Sequence, residues 1–280
     1  MREVKTILVL GGTGKTGRRI IERLRARGAD VRVGSRAAEP AFYWENPASW
    51  PAVLYGVGTV YMSFAPDLAV PGAPETIRAF TAAAVASGVE KLVLLSGRGE
   101  VEAQTCEQIV AASGVEWTVL RASWFSQNFS EDYLLEPVLE GQVALPVDDI
   151  PEPFVDADDV AVAVLTQDGH HEKVYELTGP RLLTFADAVS EISAATDRPV
   201  EFVAVADEDY MAALKEAGLP DETINFLLYL FTTVLDGRNT HVEDGVQQVL
   251  DRPARDFADY ARSTAATGVW RGANRSLVAG

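Results

Sequence analysis

The chain has 280 residues, 48% of them hydrophobic and 23% charged, enough for one large domain or a domain with a smaller lobe. Its 24 Lys+Arg against 41 Asp+Glu give a formal net charge of −17. That balance argues against nucleic acid or an anionic membrane as a partner, because phosphate surfaces demand clustered cations. The one cysteine, Cys106, excludes an internal disulfide framework and suits a reducing compartment.

In chain order, the first expected strand is Thr6 to Leu10, entered without a basic leader or signal-like apolar segment. No uncharged apolar run nears the ~20 residues that span a bilayer, so the expectation is a cytoplasmic protein. "LVLGGTGKTGRRIIERL" then places Gly11, Gly14 and Gly17 between that strand and a helix expected over Thr16 to Arg27. Further strands are expected at Val31 to Gly34, Val57 to Phe64, Lys91 to Ser96 and Trp117 to Arg121. Helices are expected at Pro74 to Ser87 and Val101 to Ser113, with Gly28, Gly88 and Gly114 as C-caps. The near-continuous apolar strands suggest a parallel sheet covered on both faces, and the alternation predicts a doubly wound α/β fold. After about Ser130 the rhythm changes. Glu172 to Gly179 reads as one more strand, and the remainder is mostly helical with an excursion at Arg198 to Val205. The expected division is a dinucleotide-binding domain over 1–130, completed by about 154–179, and a smaller, mainly helical substrate lobe over 131–153 and 180–280.

The glycine turn carries the chemistry. Gly11 allows a tight turn, Gly14 lets backbone approach a pyrophosphate, and Gly17 permits close helix–strand packing. The turn, Gly11, Gly12, Thr13, Gly14, Lys15, Thr16 and Gly17, delivers the phosphates to a helix amino end. A triphosphatase loop fits poorly: its first glycine would fall at Val9. At the end of the second strand, where an acidic residue would hold the ribose of NAD, stand Ser35 and Arg36. They favour a 2′-phosphate and hence NADP(H). The alternative for Arg36 is a solvated loop cation, and for Lys15 a decoration of the helix start.

"LVLGGTGKTGRRI", "LLSGRG", "CEQIVAASGVEWTVLRASWFSQNF", "PFVDADDVA" and "YELTGPRLLTFADAV" together resemble the NmrA-like branch of the atypical short-chain dehydrogenase/reductase superfamily, nearly end to end. The resemblance implies a Rossmann domain binding NADPH and a C-terminal lobe closing a substrate cleft. It suggests Phe64, Ala65, Pro66, Ser96 and Gly97 as cofactor neighbours, and Trp124, Phe125 and Asn128 as cleft residues. Packing competes for the two aromatics, and a turn or capping role for Asn128. Active members of the superfamily usually carry a Tyr-x-x-x-Lys dyad. Aligning Glu107 with the Glu that commonly follows that Lys puts Gly99 and Ala103 at the dyad positions, so the dyad is missing. Ser96 and Tyr133 are the candidate substitutes, against structural hydrogen bonding and core packing respectively. His170, His171 and His241 show no ligand spacing, and Asp156, Asp158 and Asp159 are expected to cap the helical run that follows. Cys106 is expected to be inert, and "ADEDY" (Ala206 to Tyr210) to be a solvated loop leading into a helix. The expected function is NADPH-dependent hydride transfer to a hydrophobic conjugated molecule (a quinone, enone or iminium). The alternative is an NADP(H)-sensing regulator without turnover.

Overall fold

The central strand β1 (Thr6–Leu10) is buried over four of its five residues, as an apolar run covered on both faces must be. In a computed structural model, which describes residues 5–160 and 163–271, it pairs in parallel with β2 (Val31–Gly34) and β3 (Val57–Met62). β4 (Lys91–Gly97), β5 (Glu116–Ala122) and β7 (Lys173–Leu177) continue the sheet, also in parallel. The order β2-β1-β3-β4-β5-β7 reverses direction at β1, the arrangement whose strand ends open a ligand crevice.

The chain divides into two interleaved compact units. One comprises the residues to Ala122, Ala157–Leu177 and Asp244–Pro253. The other comprises Ser123–Asp156, Thr178–Glu243 and the residues from Ala254.

In the first unit the helices pack their apolar stripes on the sheet. α1 (Lys15–Ala26) buries Ile20, Ile21 and Leu24; α3 (Ala73–Ala86) buries Ile77, Phe80 and Ala84; α4 (Val101–Ala111) buries Ala103, Cys106 and Val110. Phe80 anchors an aromatic group, with ring centroids 5.7 Å from Phe42, 5.1 Å from Trp44 and 5.4 Å from Trp50, the last on the short helix α2 (Trp50–Leu54). Burial pushes the Cys106 thiol up to about 11, so it is packing rather than nucleophile.

The second unit is mainly helical. After two short helices, α5 (Asn128–Glu131) and α6 (Leu135–Glu140), β6 (Gln142–Leu145) pairs in parallel with β8 (Glu201–Ala204). α8 (Phe185–Thr196) starts with a reciprocal capping box between Thr184 and Asp187. α9 (Asp207–Glu216), α10 (Asp221–Tyr229) and α12 (Phe257–Thr267) complete the layer. Phe129, Phe154, Phe185, Phe231 and Phe257 form a buried aromatic core.

Two expectations are revised, and the aspartates expected to cap a helix prove also to be ion-paired. β6 lies inside the Pro- and Asp-rich stretch where no strand was expected, because four residues give too little alternation to stand out. The acids of "ADEDY" are not loop: Asp207, Glu208 and Asp209 form the first turn of α9, where they complement the helix dipole. The aspartates of "DADD" form ion pairs. Asp158 meets Arg23 at 2.6 Å and Arg19 at 3.4 Å, Asp159 meets Arg252 at 2.7 Å, and Asp156 meets Arg255 at 2.9 Å. The helix that follows is described from Ala163 to Thr166; Ala161 and Val162 of the expected run lie outside the described residues. A last short helix, α11 (Gly245–Leu250), belongs to the first unit.

Candidate functional site

The chain leaves β1 through the glycine turn. Gly11 has φ +66, and a Cβ there would also meet the Ser63 side chain at 3.1 Å. At Gly17 a Cβ would lie 2.2 Å from the Gly11 carbonyl oxygen, so no side chain fits where α1 rests on the strand end. Gly14 differs. Its φ is −81, it is exposed, and the only neighbour of an added Cβ would be the Gly11 oxygen at 3.2 Å. Its missing side chain leaves space outside the turn rather than within it. No side chain caps α1 and no acid stands in its first turn, so its amino end keeps its attraction for an anion. Thr16 is buried and accepts a 3.0 Å hydrogen bond from the Tyr61 hydroxyl, tying the helix start to β3. Thr13 is exposed on the turn.

At the end of β2, Ser35 is half-buried and Arg36 exposed. A depression of about 520 Å³ runs beside this strand, lined at the turn end by Thr13, Ser35, Ala37 and Ala38. Beyond β3, Phe64 packs on Trp44 with centroids 4.9 Å apart, while Ala65 and Pro66 are exposed.

The end of β4 carries a charged network. Ser96 is buried and donates a 2.7 Å hydrogen bond to Glu107 Oε1. Arg121 grips both oxygens of Glu107, with Nη2 2.6 Å from Oε2, and reaches Glu176 at 2.9 Å. Arg98 donates to the other oxygen of Glu176, also at 2.9 Å. Ser96 thus directs its proton into a carboxylate doubly held by an arginine.

Gly99 has φ +81 and Ala103 is wholly buried on α4. Between them Glu100 stands at the amino end of α4, yet its carboxyl does not cap the helix. It turns back onto Gly97, where an added Cβ would fall 2.1 Å from Oε1. Glu100 is only 7% exposed, and its Oε2 is enclosed with no hydrogen-bond donor facing it. Its neighbour is the carboxyl of Asp67, within hydrogen-bonding reach. Burial first, then the Asp67 charge beside it, pushes Glu100 up to about 9; burial raises Asp67 as well, against the pull of its own backbone hydrogen bonds and of Lys15. Sequence reasoning missed this pair. Neither acid has a neighbour in the sequence that announces burial.

The remaining candidates belong to the second unit. Trp124 stacks on Phe231, with centroids 5.0 Å apart at 29°, and meets Phe185 edge-on at 5.2 Å. Phe125 forms a parallel bridge with Val155, and Asn128 opens α5. Tyr133 is half-buried with its hydroxyl enclosed, edge-on to Phe231 at 6.3 Å, and burial raises its phenol well above the usual range. Among the described residues, no group of three or more His, Cys, Asp or Glu side chains could hold a metal ion, and no helix is long and apolar enough to cross a membrane.

No protein-family model matches the sequence. Individual proteins do. The chain is 31% identical to the NAD(P)H azoreductase of Xenophilus azovorans, over 93% of this chain and 98% of that relative. The chain belongs to the NmrA-like branch of the atypical short-chain dehydrogenase/reductase superfamily. Membership places it among NADP(H)-binding oxidoreductases. The fold of the branch recurs in the NADPH-dependent quinone oxidoreductase QOR2 of Escherichia coli, solved with NADPH. That structure has a TM-score of 0.77 at 24% identity, covering 92% of this chain and 99% of that chain. The negative transcriptional regulator Nmra, solved with NAD, has a TM-score of 0.72 at 18% identity, covering 96% and 100%.

Proposed function

We propose that this NmrA-like chain catalyses NADPH-dependent reduction of a hydrophobic conjugated small molecule: a quinone, enone or iminium. The observation that carries the reading is what stands at the positions assigned to the superfamily's dyad. Gly99 has no side chain and Ala103 is buried without a polar atom, so neither can supply a proton or hold a ribose. An unactivated ketone would become an alkoxide needing a strong positioned acid. A conjugated acceptor spreads or neutralises the incoming charge and depends far less on one. The azoreductase relative, whose name implies a conjugated nitrogen–nitrogen acceptor, supports the same class.

The residues present fit a bound dinucleotide. The uncapped start of α1 and the open face of Gly14 make a cradle that any side chain at position 14 would enter. Gly11, Gly12, Thr13, Gly14, Lys15, Thr16 and Gly17 would hold the pyrophosphate; Ser35 and Arg36 would read the 2′-phosphate. Phe64, Ala65 and Pro66 would border the adenine and ribose, and Ser96 and Gly97 the nicotinamide ribose. When bound, the cofactor supplies a hydride. Trp124, Phe125 and Asn128 would contact substrate, and Ser96 and Tyr133 are candidate hydroxyl partners for it.

The test follows NADPH oxidation with a naphthoquinone, an enone, an iminium and a plain aliphatic ketone. Turnover of the conjugated acceptors, with the ketone slower by about 10²–10⁴, is expected. Fast ketone reduction that is lost in Ser96→Ala or Tyr133→Phe would refute the reading. No turnover with any acceptor would favour cofactor sensing without turnover.

A further inference from the structure

In the doubly wound sheet, a dinucleotide straddles the strand at which the order reverses, here β1. Ser35 and Arg36 at the end of β2 suit the adenosine half, which leaves the ends of β3 and β4 for the reacting half. Glu100 and Asp67 hang from those two ends, and Lys15 of the glycine turn acts on Asp67 from the third. Asp67 after β3, and Glu102 and Glu107 on α4, all oppose ionisation of Glu100, while Lys15 acts on its partner Asp67. Glu107 is satisfied by Ser96 and Arg121. Glu100 Oε2 has no such donor among the described residues. Burial and the neighbouring Asp67 carboxyl both penalise the ionised form of Glu100 and favour a proton on the pair. The bare Cα of Gly97, the last residue of β4, gives that carboxyl its seat.

We propose that Glu100, paired with Asp67, is the proton donor of the reduction, in place of the missing Tyr–Lys dyad. The assignment rests on the reductase reading of the same site. Hydride carries both electrons from the nicotinamide C4 to the electron-poor carbon of the acceptor, forming a C–H bond and leaving negative charge on the conjugated oxygen. The Glu100 O–H bond breaks and an O–H bond forms on that oxygen. Glu100 is left as a carboxylate beside a nicotinamide that has become cationic, and half-buried Asp67 returns a proton from water. One NADPH and one proton are consumed per acceptor reduced.

The experiment measures proton release on cofactor binding by calorimetry at pH 8 in two buffers of different ionisation enthalpy, and turnover with NADPH and 2-methyl-1,4-naphthoquinone. Cationic NADP⁺ favours the carboxylate, so the wild-type protein is expected to release up to about one proton on binding it, and less on binding NADPH. Glu100→Gln is expected to release none, to bind NADPH as tightly as wild type, and to lose part of its turnover, by less than the loss typical of removing a general acid from ketone reduction. Asp67→Asn removes the neighbouring charge and is expected to move the alkaline limb of kcat/KM to lower pH. Equal proton release by wild type and Glu100→Gln overturns the proposal, whether or not any acceptor is reduced. Undiminished turnover in Glu100→Gln overturns the donor role. Glu100-dependent proton release in a wild-type protein that reduces nothing overturns the reductase reading, and the donor role with it, and shows that the pair faces the nicotinamide.

Discussion

Replacing Glu100 by glutamine should make the protein more stable, and increasingly so as pH rises. In the unfolded chain the carboxyl ionises near 4.5; in the fold, burial and Asp67 push it up to about 9. The folded state therefore keeps a proton that the unfolded chain has already lost. A raised folded value means that the stability associated with this group is complete below about pH 4.5 and declines as pH climbs towards 9. At pH 7 the interval from 4.5 corresponds to about 3 kcal/mol, taking 1.36 kcal/mol for each pH unit. Glutamine has nearly the same shape, cannot ionise, and offers an amide hydrogen to Asp67. Urea unfolding of wild type and Glu100→Gln, without cofactor, should give superimposable midpoints at pH 5 and a gap of a few kcal/mol at pH 7 that widens to pH 9. Parallel stability curves across that range would refute the reasoning, because they would mean that Glu100 titrates alike in the folded and unfolded chain.

Arg36→Ala should weaken NADPH binding about ten- to a hundredfold, equivalent to roughly 1.5–3 kcal/mol for a charge-assisted contact, and leave NADH almost unchanged. Equal losses for both cofactors by titration calorimetry would show that Arg36 does not read the 2′-phosphate. Gly17→Ala should lower stability by roughly 1–3 kcal/mol in chemical denaturation, since the new methyl must displace the Gly11 carbonyl now 2.2 Å from its place. An unaltered midpoint would count against so close a contact between turn and helix.

Much of the first unit was legible because its signals are local. The run Thr6 to Leu10, the three glycines and the periodic helix after them lie within one short stretch, and each position constrains its neighbours. The strand ends moved by a residue or two, as at β3, which stops at Met62 rather than Phe64. What stayed hidden depends on partners remote in the chain. The ion pairs of Asp158 with Arg19 and Arg23 join residues far apart in the chain and are made only by the fold. Nothing in "SGRGE" announces that the Glu100 carboxyl will be enclosed against Gly97 and Asp67. Burial of a charge is a property of the assembled sheet, and no periodicity encodes it.

The interleaving of the two units sets the order in which synthesis can yield a folded molecule. β5 reaches the ribosome exit long before β7, yet the two pair along Thr118 to Ala122. Until β7 arrives, β5 is a bare parallel edge, and both Arg98 and Arg121 await Glu176. The first unit also draws on Asp244–Pro253, and the second on residues from Ala254. Neither can be completed from an amino-terminal fragment. The nascent chain must therefore hold an unfinished, apolar sheet until nearly all of it has been made, the stage at which chaperones find their substrates.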